Sequence, residues 1–335
     1  MKERIFYIDF LRVISCILVV LTHCHFDNEC SDNISRLFVL SLMFICMPSS
    51  ELFISLSGAA LLPISKNMNS FYITRFKKLI PPFIFWSIII SLTIGYLTGE
   101  SLPQIFSKIS LIPFKPVTYA YWFIYVIIGL YLVAPIISPW LKYASRKQIE
   151  FVLSIWFVSL LLPFISKYTN INFDSNGNYN YLLYYFSGYI GYWIIGYYLR
   201  VYPIKFFEGR FFTCIILCLT YLAFLMFNIN QIDANFVGNL QFGAAIIVVL
   251  LYTLIQNINK KNTLIFNFIS RLASCSYFIY LTHILIISLL KKYFLDSIEL
   301  FVPLKIILLA ISTLFICFSS CLLIRKLPYS KFITG

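Results

Sequence analysis

"DFLRVISCILVVLTHCH", residues 9–25, is apolar enough to cross a bilayer, which takes ~20 helical residues, yet it carries Asp9, Arg12, His23 and His25. Of the 335 residues in the chain, 60% are hydrophobic and 12% charged, and the mean hydropathy is +0.86. That composition excludes a soluble globular protein and describes an integral membrane protein. The four polar groups therefore need a reason. On an α-helix Arg12 and His23 differ by only about 20° around the axis and stand ~16 Å apart along it, while His25 lies about 200° round from His23. Asp9 precedes Arg12 by three residues and joins the same stripe. A charged side chain facing lipid costs at least ~2.5 kcal/mol, so the stripe is expected to face a bundle interior. The plainer alternative is a structural Asp9–Arg12 pair at the inner interface, with both histidines among the outer headgroups.

Working outward, apolar runs of spanning length fall at about 5–25, 37–63, 79–98, 117–137, 149–167, 180–199, 211–228, 236–255, 268–290 and 303–324. The expected architecture is all-α, a polytopic membrane bundle of about ten transmembrane helices. Pro48, near the middle of the overlong second run, predicts a kink. The runs fill the chain from end to end, so one domain over 1–335 is expected. Basic residues set the orientation, because Lys and Arg concentrate in cytoplasmic loops. With the N-terminus inside, Arg36, Lys108, Lys115, Lys167, Lys291 and Lys292 fall outside, Arg12 and Lys305 fall within spans, and the other 18 of the 26 basic residues fall inside. Both termini are thus expected in the cytoplasm. The net charge of +13 reads as a topology signal that also faces anionic membrane lipid, and no nucleic-acid partner is implied. "MKERIFYIDFLR" lacks the cleavage site of a secretory signal, so the first helix is expected to stay.

Other spans carry polar groups too. "PSSELFISLSGAALLP", residues 48–63, places Glu51 in mid-span with Ser55 one turn on, and intramembrane carboxylates commonly mark functional paths. "SFYITRFKKLIPPFIFW", residues 70–86, puts Arg75 and Lys78 just before a Pro-Pro pair. A basic cluster there satisfies the positive-inside rule, and at a helix entry it also suits phosphate binding. "SYFIYLTHILII", residues 276–287, carries His283 well inside the ninth run; the alternatives are a satisfied buried histidine and a catalytic one. The nine cysteines have no CxxC spacing, so no metal site is expected, and most read as small apolar residues. Cys24 and Cys30, flanking the first outer loop, are a candidate disulfide.

"YIDFLRVISCILVVLTH", "ELFISLSGAALL", "ITRFKKLIPPFIFW", "YWFIYVIIGLYLVAPII" and "YFIYLTHILI", in that order, resemble the blocks of the bacterial acyltransferase family 3 membrane proteins. Within it the chain looks most like the stand-alone surface-glycan O-acetyltransferases of the enterobacterial common antigen type. The resemblance runs from residue 7 to about 325, and Arg12 followed after ten residues by His23 is its most specific element. It implies that His23 is the catalytic histidine and Arg12 the essential arginine of the same motif. It also implies that Arg75 and Lys78 meet the acyl-CoA, that Glu51 is the acidic residue ahead of the serine-glycine block, and that His283 is the histidine common near the domain's end. Lys78 departs from the family's usual arginine, which weakens bidentate phosphate recognition there.

The implied reaction is O-acylation in a bacterial inner (plasma) membrane. Cytoplasmic acetyl-CoA or another acyl-CoA is the donor, and a lipid-linked sugar or surface polysaccharide is the acceptor. A base takes the acceptor proton, and cationic groups hold the thioester oxyanion and the CoA phosphates. Histidine suits the first task and guanidinium the second. The competing class is a glycolipid or polysaccharide flippase, which would also line a cavity with charge. No matching pair of interrupted half-helices, the sign of inverted repeats, accompanies it. Oligomeric state has no signature in the sequence.

Overall fold

A computed structural model describes residues 5–25, 32–168, 186–204, 215–222, 242–256, 263–295 and 298–335, with single positions 183, 213 and 258. Among these residues the regular structure is all helical, with no strand. The helices are α1 (Phe6–Thr22), α2 (Asn33–Cys46), α3 (Ser49–Leu61), α4 (Met68–Leu97), α5 (Leu102–Ser110), α6 (Trp122–Tyr143), α7 (Arg146–Tyr168), α8 (Tyr189–Val201), α9 (Phe242–Gln256), α10 (Thr263–Leu290), α11 (Val302–Ile324) and α12 (Lys331–Thr334). A 3-10 turn, Tyr119–Tyr121, leads into α6, and a π-helical turn, Lys291–Leu295, prolongs α10. Among the described residues, five stretches are long and apolar enough to cross a membrane: Asn33–Leu61, Met68–Leu97, Tyr119–Tyr143, Leu264–Leu295 and Val302–Ile324. Half of the run at 211–228, the stretch 172–180 and Cys30 lie outside the described residues.

Two expectations change. The second run is not one kinked helix but two, α2 and α3, separated by a turn at Met47 and Pro48. Pro48 lacks the N–H that would continue α2, and the chain restarts at Ser49 instead of bending through. The basic pair, expected at a helix entry, does not sit at one. Asn67 caps a helix that begins at Met68, its side chain accepting from the Ser70 amide at 2.8 Å, and α4 runs on through Pro81 and Pro82 to Leu97. Arg75 and Lys78 therefore lie well inside a helix rather than at its N-terminus, so the amides that would hold a phosphate at a helix start are not beside them.

The residues group into two compact units. The first comprises 1–15, 43–65 and 132–266. Its centre is the crossing of α3 and α8, made close by glycines: a methyl at Gly196 would stand 1.8 Å from the Ser55 carbonyl oxygen, and one at Gly58 would stand 1.9 Å from that of Trp193. The Trp193 indole donates to Ser57 Oγ at 3.3 Å, and Arg200 donates to the Leu62 carbonyl just past the end of α3 at 2.8 Å, as suits a cation at a helix C-terminus. Ser15 on α1 donates to the Ser49 carbonyl at 2.5 Å.

The second unit comprises 16–42, 66–131 and 267–335. Here α4 and α10 run parallel in a steady register. The Tyr277 hydroxyl donates to the Leu79 carbonyl at 2.6 Å. Further along, Phe83 packs on Tyr121 with ring centres 5.6 Å apart, and Tyr121 in turn donates to the Leu281 carbonyl at 2.5 Å. Lys292 Nζ closes the far end on the Leu97 carbonyl at 2.7 Å, the last residue of α4, which has no helical donor of its own. Between Phe83 and Leu97, Trp86 donates to the Ile333 carbonyl on α12 at 3.0 Å.

Candidate active site

The regular part of α1 stops at Thr22, one residue short of His23. His23 and Cys24 bond back three residues, to Val20 and Leu21, at 3.1 Å each, so the chain tightens as helix ends often do. His25 turns its Nδ1 to the Thr22 carbonyl at 2.9 Å, and its own carbonyl accepts from Lys291 Nζ at 2.6 Å. Lys291 thereby ties the segment carrying His23 to the helix carrying His283.

The two histidines meet. Their ring centres are 5.2 Å apart and the planes 30° from parallel, although 260 residues separate them in sequence. His283 is fully buried, and its Nδ1 lies 2.6 Å from the Tyr280 carbonyl. A carbonyl can only accept, so Nδ1 carries the proton and Nε2 is the basic nitrogen. That Nε2 is buried and has no hydrogen-bond partner among the described residues. Tyr119 also meets His23, ring to ring at 5.0 Å and 67°.

Tyrosines hold this group in place. Tyr121 donates to Leu281 on α10, and Tyr280 of α10 donates to Ala120, so the 3-10 turn and α10 are stapled reciprocally. Tyr121 and Tyr280 also stack, with centres 6.1 Å apart. Behind them Thr282 bonds both the Phe278 carbonyl at 2.9 Å and the Cys317 sulfur on α11 at 3.3 Å. A buried basic nitrogen beside a second, more exposed imidazole is an arrangement that can take a proton from a hydroxyl and orient it. Among the described residues no group of three or more His, Cys, Asp or Glu side chains is placed to hold a metal ion.

A family model described as an acyltransferase domain matches residues 5–323. The chain belongs to the acyltransferase 3 family. It is accordingly a membrane acyltransferase. Neither a curated protein nor a solved structure matches it.

The remaining residues implied by the family resemblance are distributed over both units of this acyltransferase. In the second unit, Arg75 is half-buried with its guanidinium 6.0 Å from the centre of the Phe71 ring, and Lys78 is exposed one turn on. The α4–α10 register sets the basic pair about 10 to 15 Å below the level of His283 along the helix axes. In the first unit, Arg12 lies 3.7 Å from Asp9, which is buried, while Arg12 keeps 32% of its side chain exposed. Glu51 is fully buried on α3, and neither of its carboxyl oxygens has a hydrogen-bond partner among the described residues. Cys24 is buried.

Tyr119, Tyr121, Tyr280 and Lys291 escape a reading of the sequence alone. The stretch "YAYWFIY" signals them only as an aromatic cluster at the start of a span, where interfacial tyrosines are common.

Proposed function

We propose that this membrane acyltransferase is an O-acetyltransferase of the bacterial inner (plasma) membrane, moving the acetyl group of cytoplasmic acetyl-CoA to a hydroxyl of a lipid-linked sugar or surface polysaccharide. The observation that carries the reading is the contact of His23 with His283 in the same unit that bears Arg75 and Lys78. The basic pair receives the CoA phosphates, and the pantetheine arm extends along α4 and α10 toward the histidines, a rise of about 10 to 15 Å. His23 accepts the proton of the acceptor hydroxyl. The oxygen forms a bond to the thioester carbonyl carbon, the carbon–sulfur bond breaks, and the departing CoA thiolate takes the proton back from the His23 imidazolium. His283 Nε2 orients the hydroxyl before transfer. Arg12, held by Asp9, supplies positive charge to the thioester oxygen or the CoA, and Glu51 is the acidic residue assigned with it.

The test uses purified protein in proteoliposomes, acetyl-CoA labelled in its acetyl group, and surface polysaccharide extracted from cells lacking the gene. Free CoA should appear in step with label in the glycan. Mass spectrometry should find acetyl esters on surface glycans only in cells that carry the gene. Polysaccharide that stays unlabelled in the vesicles and identical in the two cell types would sink the proposal.

A further inference from the structure

Tyr119 is 63% exposed, yet its backbone belongs to a turn hydrogen-bonded to α10. Its neighbours Ala120 and Tyr121 are buried. Ala120 accepts from Tyr280, Tyr121 donates to Leu281, and the Tyr121 amide bonds the Thr118 carbonyl at 3.0 Å. A large aromatic ring thus stands on a firmly held turn with most of its surface exposed, and His23 is among the groups it meets, at 5.0 Å. Beside it the buried Nε2 of His283 has no partner among the described residues and calls for a hydroxyl donor, since leaving such an atom unpaired is costly.

We infer that Tyr119 is the stacking platform for the sugar ring whose hydroxyl is acylated. The inference rests on the acceptor class proposed above. One face of a pyranose presents several C–H bonds whose hydrogens carry partial positive charge, and the negative face of an aromatic ring attracts them. A ring stacked on Tyr119 projects its equatorial hydroxyls sideways, toward the adjacent imidazoles. Tyr119 then selects the acceptor and sets which hydroxyl meets His23. It takes no part in the bond changes, and the donor site does not involve it.

Tyr119→Phe, Tyr119→Leu and Tyr119→Ala are compared in proteoliposomes with acetyl-CoA and polysaccharide from cells lacking the gene. The Phe variant should keep an acceptor KM within about 2-fold of the parent, because the ring remains. The Leu and Ala variants should raise acceptor KM by about 10-fold or more, consistent with loss of an aromatic contact, with acetyl-CoA KM unchanged. Leu keeps apolar bulk, so a Leu variant that folds like the parent separates stacking from packing. Unchanged acceptor KM in the Leu and Ala variants, or equal losses toward donor and acceptor, would overturn the role of Tyr119 while leaving acetyl transfer by the parent intact. A parent protein that acetylates no polysaccharide at all would overturn the acceptor class itself.

Discussion

Gly196→Ala should be among the most damaging single-methyl changes in this protein. The new Cβ would sit 1.8 Å from the Ser55 carbonyl oxygen, 2.4 Å from its carbon and 2.8 Å from its Cα, where real Cβ contacts below 3.0 Å essentially never occur. The α3 and α8 backbones must part by at least about 1.2 Å, and no rotamer change relieves the clash because the three nearest atoms are all backbone; overpacking of this kind costs ~1–3 kcal/mol or more. The better helix propensity of alanine returns at most about 1 kcal/mol. The natural control is Gly129 on α6, where an added methyl meets nothing within 4 Å and Gly129→Ala should stabilise by up to about 1 kcal/mol. Thermal unfolding in one detergent, followed by a thiol-reactive dye and by size-exclusion recovery, should place Gly196→Ala below the parent and Gly129→Ala at or above it. Gly58→Ala should resemble Gly196→Ala, and the double variant should lose less than the two combined, because both open the same crossing. Since α3 carries Glu51, acetyl transfer should fall with stability. A Gly196→Ala protein as stable as Gly129→Ala would refute the close-crossing argument.

His23→Ala should lower acetyl transfer by ~10²-fold or more in folded, membrane-inserted protein, the range for loss of a general base, and Arg12→Ala should likewise abolish it. His25→Ala should keep most activity, since His25 contributes to the clamp chiefly through a backbone carbonyl; radiolabel transfer to polysaccharide distinguishes the three. Replacing Arg75 and Lys78 together by glutamine should raise the KM for acetyl-CoA about 10-fold or more with acceptor KM unchanged, as steady-state kinetics would reveal; an unaltered donor KM would leave the pair as topology signals only. A cysteine introduced at Ser107 should react with an impermeant maleimide from outside intact cells and one at Lys66 should not, above the background of the native cysteines. The reverse pattern would invert the orientation and put Arg75 on the wrong side for cytoplasmic CoA.

Much of the architecture is legible from hydropathy alone, because burial in lipid leaves a long, strong signal. Local chemistry is less so. Pro48 reads as a kink and is a break, while the basic pair ahead of Pro81 and Pro82 reads as a helix entry and lies inside a helix that runs on through both prolines, although all three prolines remove the same backbone donor. What differs is what surrounds them: α4 is capped far upstream by Asn67, and α10 leans on it near the prolines, with Tyr277 donating to the Leu79 carbonyl. Neighbouring side chains of that kind make prolines tolerable inside membrane helices, and no window of sequence contains them. The same reason governs the site. His23 and His283 are each conspicuous as polar groups in apolar runs, but their contact depends on a register set by reciprocal tyrosine hydrogen bonds and by Lys291 reaching the His25 carbonyl. Sequence order lets the blocks be recognised; the contacts that turn two histidines into one site exist only between helices. Tyr119 is the extreme case, because nothing about a tyrosine at the head of an apolar run distinguishes an interfacial anchor from a binding platform. The rigid turn beneath it and the imidazole beside it make that distinction.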